Sequence, residues 1–182
     1  MTDERIALYK RELLAWNEKI NLIGPEAKAN LDDHIVEALK AAEILKPEGE
    51  VLDFGSGGGL PAIPMAITSP KARFHMVEAD QKRWAFLKHV VRECRLNSVV
   101  YGDRLARVLT RIPPDLRFSL VTSRAVGSPE EWLPSLAKWM EPKGRAALFQ
   151  GVKDAPKIHH FRQISAERLP RGYLVTFHVE QQ

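Results

Sequence analysis

A doubly wound α/β sheet, mostly parallel and finished by an antiparallel hairpin, is the fold this 182-residue chain predicts. Three observations carry it. From Val51 onward, short β-branched or aromatic runs alternate with amphipathic helical stretches, the pattern of a parallel sheet with helices on both faces. The first of those runs empties into the glycine-rich turn Gly55-Ser56-Gly57-Gly58-Gly59. Near the end of the chain, two strand-like runs are joined only by Pro170-Arg171-Gly172, and so short a link closes only an antiparallel pair.

The elements follow in order. Ile6, Leu8, Leu13, Leu14 and Trp16 recur at helical spacing behind Thr2 as an N-cap, and Gly24-Pro25 breaks that helix. A second helical stretch from Leu31 to Leu45 puts Ile35, Leu39, Ala42 and Leu45 on one face. Strands are expected at 51–54, 73–78, 99–101, 118–122 and 144–150, and helices after Pro61, over 81–95 and over 129–140. Residues 162–169 and 173–179 form the hairpin. We read one domain over 1–182, with 1–46 a helical cap and 51–182 the sheet core. A chain of this length removes roughly 70% of its unfolded surface from water.

With 45% apolar and 27% charged residues the composition is that of a globular protein, which excludes disorder, collagen and coiled coil. The net charge of +4 is unevenly spread. Residues 1–67 carry 7 basic and 12 acidic side chains, residues 68–182 carry 20 and 11, and such polarity favours a polyanionic partner on the basic side. The single cysteine, Cys94, permits no intramolecular disulfide and no cysteine-based zinc site, which fits a reducing cytosol. No secretory signal is visible, and the longest charge-free stretch, 54–70, is broken by glycines and prolines and does not read as a membrane span.

The chemistry sits in Val51-Leu52-Asp53-Phe54-Gly55-Ser56-Gly57-Gly58-Gly59-Leu60-Pro61. Glycines let backbone approach a ligand closely, and the helix expected to begin at Pro61 offers free N–H groups. Glu78, 21 residues after Gly57 at the end of the second strand, is placed to accept both hydroxyls of a ribose. Two cofactor classes compete. Gly57 to Ala62 formally satisfies the dinucleotide pattern G-x-G-x-x-A. Against it, Pro61 follows the glycines at once, and Asp53 precedes three alternating glycines, Gly55, Gly57 and Gly59. That acid-x-G-x-G-x-G turn is the loop of S-adenosylmethionine methyltransferases, so methyl transfer is favoured over hydride transfer by an NAD-linked oxidoreductase.

The fourth strand narrows the reaction. It ends in Thr122-Ser123-Arg124-Ala125 and lacks the [DNS]-P-P-[YF] loop common in amino-group methylation of bases. Pyrimidine C5 methylation needs a strand-end cysteine, whereas Cys94 lies on an expected helix and reads as a packing or surface residue. What remains is attack by an atom that is already nucleophilic, and guanine N7 is such an atom: it has a free lone pair and no proton to remove, so in-line positioning suffices and no general base is required.

These residues resemble the glucose-inhibited division protein B family, bacterial methyltransferases of guanine N7 in small-subunit (16S) ribosomal RNA. The likeness runs from about Tyr9 to the C-terminus. Trp16-Asn17 with Asn21-Leu22 is similar to W-N-x-x-x-N-L, and 34–39 to H-I-x-D-S-L. Residues 55–64 are close to G-S-G-x-G-[FL]-P-G-I-P, Val77-Glu78 with Lys82-Arg83 and Phe86-Leu87 to V-E-x-x-x-K-[KR]-x-x-F-L, and 123–125 are S-R-A. The resemblance implies a Rossmann-like methyltransferase using S-adenosylmethionine and releasing S-adenosylhomocysteine. It implies that Gly55, Gly57, Gly59 and Leu60 shape the methionine and sulfonium pocket, with Asp53, Ser56 and Pro61 also among the cofactor-binding residues. Glu78, with Ala79 beside it, takes the ribose. Leu105-Ala106 flanks the adenine, and Arg124 borders the methyl donor as the catalytic residue, meeting the guanine or its phosphate. Departures are Ala106 for Glu, Glu37-Ala38 for Asp-Ser, Ala62 for Gly, and Gln150-Gly151 for Lys-Gly, which removes a cation beside the expected RNA face.

Arg104, Arg107, Arg111, Arg117 and Arg124 are the RNA-binding candidates, because they fall at and after expected carboxyl strand ends. Lys82, Arg83, Lys88, Arg92 and Arg95 read as the solvated face of a helix, Trp16 as a core or interface anchor, and Asn17 and Asn21 as caps of the first helix. His34 reads as structural. No metal site is expected, the pair His159-His160 lacking nearby acids or cysteines. The expected partner is small-subunit ribosomal RNA or an assembling subunit, met in the cytoplasm by a monomer with no membrane association. An RNA-binding module of the same fold without turnover is the non-enzyme alternative.

Overall fold

The computed structural model describes residues 2–180. Three helices come first: α1 (Thr2–Asn17), α2 (Pro25–Ala29) and α3 (Leu31–Leu45). The core then runs β1 (Gly49–Phe54), α4 (Ala62–Thr68), β2 (Ala72–Val77), α5 (Gln81–Glu93), β3 (Ser98–Tyr101), α6 (Leu105–Leu109), β4 (Phe118–Arg124) and α7 (Pro129–Trp132). A 3₁₀ segment (Leu133–Trp139), β5 (Met140–Gln150), β6 (Phe161–Leu169) and β7 (Gly172–Val179) complete it. The seven strands form one sheet in the order β3-β2-β1-β4-β5-β7-β6. The first five pair in parallel, and β7 pairs antiparallel with both β5 and β6.

Alternation along the strands sorts the core into two layers. Val51, Phe74, Leu120, Ala147 and Leu174 face one side, where Tyr9 and Leu13 of α1, the apolar stripe of α3, and α4 and α5 cover them. Leu52, Val77, Val121, Leu148 and Val175 face the other, under Leu105 and Val108 of α6 and Leu133 and Leu136 of the 3₁₀ segment. A central strand buried on both faces must be apolar nearly throughout, which is why Val51 and Leu52 are both buried. The cap helices therefore share the core of the sheet, α1 packing on α4 and α5 and α3 on α4.

Boundaries shift in a few places. Thr2 is the first residue of α1 rather than its N-cap, and Pro61, expected as the first residue of α4, is its N-cap, the helix starting one residue later. The helix expected over 129–140 is a single α-turn followed by 3₁₀ geometry. Pro134 explains the break, since it removes a donor that an α-helix needs there. The fifth strand starts at Met140, ahead of the expected Gly144, and the five-residue α6 went unforeseen.

Candidate functional site

Parallel topology places the carboxyl ends of β1, β2, β3 and β4 along one edge of the sheet, and most of the candidate residues meet there. After β1 the chain turns sharply. The amides of Gly55 and Ser56 both donate to the Val77 carbonyl, at 2.9 and 3.1 Å, and the Gly59 amide donates to the Ser56 carbonyl at 2.7 Å. Gly55 (φ 75°) and Gly59 (φ 89°) hold left-handed conformations in crowded places. A Cβ on Gly55 would sit 2.2 Å from Val126 Cγ2, and one on Gly59 would sit 2.5 Å from Ile63 Cγ1. Gly57 also has positive φ, but its Cβ position is open apart from the Gly55 carbonyl at 3.8 Å, leaving a surface a ligand can approach. From the cap, the buried Tyr9 hydroxyl donates to the Gly58 carbonyl at 2.8 Å and holds the turn down.

Two carboxylates brace the turn. Glu78, only 8% exposed, accepts from the Gly57 amide through Oε2 and from the Asp80 amide through Oε1, both at 2.8 Å. Those bonds fix its plane and leave lone pairs for hydroxyl donors. Asp53 is buried beneath the loop, where its Oδ1 accepts from Thr122 Oγ1 at 2.6 Å and its Oδ2 has no hydrogen-bond partner. Burial drives its pKa up to about 6; the neighbouring Ser56 hydroxyl and the Thr122 hydrogen bond oppose the rise, and the nearby Glu78 charge adds to it. Ser56 Oγ donates to the Asp53 carbonyl at 3.2 Å. Leu60 and the buried Pro61 close the turn, and Ala79 lies exposed beside Glu78.

Arg124 ends β4. Its Nη2 donates to the imidazole of His34, and its Nη1 lies 3.8 Å from Glu37 Oε2. His34 is held neutral, first by burial and then by the Arg124 charge, with Glu37 pulling the other way, so its ring can accept from the guanidinium. Glu37 in turn accepts the Arg171 amide of the β6–β7 turn through Oε1 at 2.6 Å, and the Arg171 guanidinium pairs with Glu26 of α2. One carboxylate thus joins the helical cap, the end of β4 and the hairpin. The sequence reads His34 as structural and Glu37 only as a departure from the family's Asp, although polar groups three apart on the apolar face of α3 are a visible signal of their joint role. Tyr9 and Thr122 escaped the residue-by-residue reading.

After β3, Gln81 Nε2 reaches the Gly102 carbonyl at 2.9 Å, and α6 begins with Leu105 buried and Ala106 exposed. Arg104 is exposed at the same edge. Arg107 and Arg111 lean on Asp103, at 3.7 and 2.9 Å, which partly offsets their charge. Arg117 corrects the expectation of a single cluster. It stands just ahead of β4, at the opposite end of the sheet, bonded to the Pro114 carbonyl at 2.8 Å, because the loop after α6 returns the chain to the amino ends of the strands.

Elsewhere, Asn17 Oδ1 accepts from the Leu22 and Ile23 amides at 2.9 and 3.0 Å, as a helix-ending residue should. Trp16 packs edge-on against Phe86, 5.6 Å between centroids, and Cys94 is buried. All five candidate cations of α5 and its end are exposed. Among the described residues no group of three or more His, Cys, Asp or Glu could hold a metal ion, and no helix is long and apolar enough to cross a membrane.

A sheet of this strand order with a glycine turn after β1 and an acid after β2 defines a Rossmann-like, S-adenosylmethionine-dependent methyltransferase. Solved structures share the fold: an O-methyltransferase from Bacillus cereus in complex with SAH (TM-score 0.68, 15% identity, 95% of this chain and 90% of that one) and a SAM-dependent methyltransferase from Aquifex aeolicus (TM-score 0.61, 15% identity, 86% and 98%). The family model for rRNA small subunit methyltransferase G, GidB, matches residues 2–173. Proteins named Ribosomal RNA small subunit methyltransferase G are similar in sequence: one from Helicobacter pylori J99 is 36% identical over 143 residues (79% of each chain), and one from Magnetococcus marinus is 32% identical over 190 (98% of this chain, 82% of that one). The chain belongs to the GidB family, and the hydride-transfer alternative falls away. The residues present fit the cofactor, for Gly57 leaves an open cradle and the fixed Glu78 carboxylate keeps acceptor capacity beside it.

Proposed function

We propose that this protein transfers the methyl group of S-adenosylmethionine to N7 of a guanine in small-subunit ribosomal RNA, free or within an assembling subunit, acting as a cytoplasmic monomer. In this reading Gly55, Gly57, Gly59 and Leu60 cradle the methionine end, with Asp53, Ser56 and Pro61 shaping the turn. Glu78 binds the ribose, with Ala79 alongside, and Leu105 and Ala106 flank the adenine. When bound, S-adenosylmethionine supplies a methyl on a sulfonium, and in-line attack by the N7 lone pair leaves the thioether S-adenosylhomocysteine.

The observation that carries this reading is that, among the described residues, no general base is available at the site. Asp53 lies beneath the loop bonded to Thr122, Glu78 is held by two amides, and His34 accepts from Arg124. An acceptor atom that must lose a proton would be poorly served here, whereas guanine N7 has none to lose. The chain's task is then positioning, and Arg124 is the cation nearest the expected substrate side. Arg104 and Arg107 extend a cationic edge for the RNA backbone. The names of the relatives support ribosomal RNA as the substrate.

Incubation with methyl-labelled S-adenosylmethionine and small-subunit RNA, followed by digestion to nucleosides, tests it. Label in 7-methylguanosine is expected. Label in any other nucleoside contradicts the N7 assignment, and RNA binding with no transfer at saturating cofactor establishes a binding module without turnover.

A further inference from the structure

Beside the glycine turn, the loop after β4 and the end of β5 enclose a slot of about 290 Å³. Its walls are apolar, from Val126, Trp132, Leu148 and Phe149, with Ser123 and Gln150 supplying polar groups. The walls are fixed in advance. The Trp132 ring packs on Phe54 at 4.7 Å and donates its Nε1 proton to the Val126 carbonyl at 3.1 Å, while Phe149 is held in the β5 ladder opposite Leu174. Val126 belongs to both compartments, since its Cγ2 lies 2.2 Å from where a Cβ of Gly55 would stand. The slot therefore lies against the glycine turn, one side chain away from it. Gln150 stands at the slot's edge with Nε2 donating to the Val152 carbonyl at 3.1 Å, which orients its amide and leaves Oε1 as an acceptor. Gly151, next in the chain, lines the same opening and has nothing within 4 Å of its Cβ position.

We propose that this slot receives a single unstacked guanine, with Gln150 reading its Watson–Crick edge and Gly151 keeping the entrance open. The assignment rests on the reading that guanine N7 accepts the methyl. A recess lined by Trp132 and Phe149, with polar groups from Ser123 and Gln150, suits a nucleobase, and a base enters a recess behind strand ends only after leaving its stack. A guanine that turns N7 toward the glycine turn presents N1–H and N2–H on another edge. The Gln150 Oε1 accepts from those donors, whereas adenine in the same pose offers a bare N1 and a C2–H there, its one donor on that edge, the 6-amino group, lying on the far side of N1, so the acceptor loses its partner. The substrate class is thus an unpaired or extruded guanosine, not a guanine read within an intact helix.

Two variants and two readouts test this. Gly151→Phe puts a ring into open space without backbone strain, and Gln150→Leu removes the acceptor at similar size. On protein saturated with S-adenosylhomocysteine, equilibrium binding of 5′-GMP and 5′-AMP is measured beside methyl transfer to small-subunit RNA. The wild type is expected to prefer GMP, and Gln150→Leu to lose about tenfold of that preference, the effect of one hydrogen-bonded base edge. Gly151→Phe is expected to keep its melting temperature and S-adenosylhomocysteine affinity but lose GMP binding and roughly 100-fold of methyl transfer, because the base no longer reaches the donor. Wild-type protein that binds no GMP at millimolar concentration, or Gly151→Phe that transfers methyl as fast as wild type, overturns the slot. Equal GMP preference in Gln150→Leu overturns the role of Gln150. GMP binding in the expected pattern with no guanine methylated in RNA counts against the proposed function and leaves the slot standing.

Discussion

In the proposed function positioning rests on Arg124, whose guanidinium is set by His34 and Glu37 rather than left to solvent. Arg124→Ala is expected to lower kcat at least tenfold while S-adenosylhomocysteine affinity changes less than about threefold, the signature of a group that acts on the substrate side. Equal losses in calorimetric binding and steady-state kinetics would mean that Arg124 only holds the cofactor. Asp53 makes a second prediction. Its pKa rises from 3.8 to about 6 on folding, so the fold favours the protonated acid. Its contribution to stability is full below the unfolded value and is lost as pH rises through about 6. The melting-temperature difference between Asp53→Asn and wild type is therefore expected to move in favour of the variant between pH 4 and pH 7 and then level off. A difference independent of pH would contradict the burial of an ionised Asp53. At this scale the sequence spoke clearly for Asp53 and Glu78, because an acid beside a glycine turn and another at the next strand end have few other uses. It was silent on Glu37, whose partners at Arg124 and Arg171 come together only through the sheet topology.

Among the elements, the glycine turn is the one most constrained by its neighbours. Gly55→Ala drives a Cβ into Val126 from a left-handed backbone, and we expect it to destabilise the protein by several kcal/mol or to abolish binding of S-adenosylhomocysteine, read by thermal melts and calorimetry. Tyr9→Phe removes the one bond that the cap makes to the Gly58 carbonyl and leaves that carbonyl buried and unpaired. A loss of about 1–3 kcal/mol is expected in chemical denaturation. No loss would mean that α1 covers the loop without holding it. The strand and helix order was legible because periodicity changes at Val51 and the Pro170-Arg171-Gly172 link forces antiparallel pairing. What failed was local. Pro134 converts an amphipathic stretch into 3₁₀ geometry, and α6 is too short for its spacing to stand out from the loop around it.

At the level of the whole molecule, charge divides as the architecture does. The cap, residues 1–46, holds 7 basic against 9 acidic side chains and the remainder 20 against 14, so the cap is mildly acidic and the sheet core basic. The structure moves Arg117 away from the carboxyl edge and engages Arg107 and Arg111 with Asp103, so fewer unengaged cations lie at that edge than the sequence suggested. RNA affinity should accordingly fall only moderately with salt, with a log–log slope of about −2 to −4, equivalent to a few phosphate contacts. A much steeper slope in filter binding would point to a wider basic surface. The most direct test of the account compares small-subunit ribosomal RNA from cells with and without this protein, using chain cleavage specific for N7-methylated guanine. One guanine that cleaves only when the protein is present is the predicted result, and identical cleavage patterns in the two RNAs would contradict it.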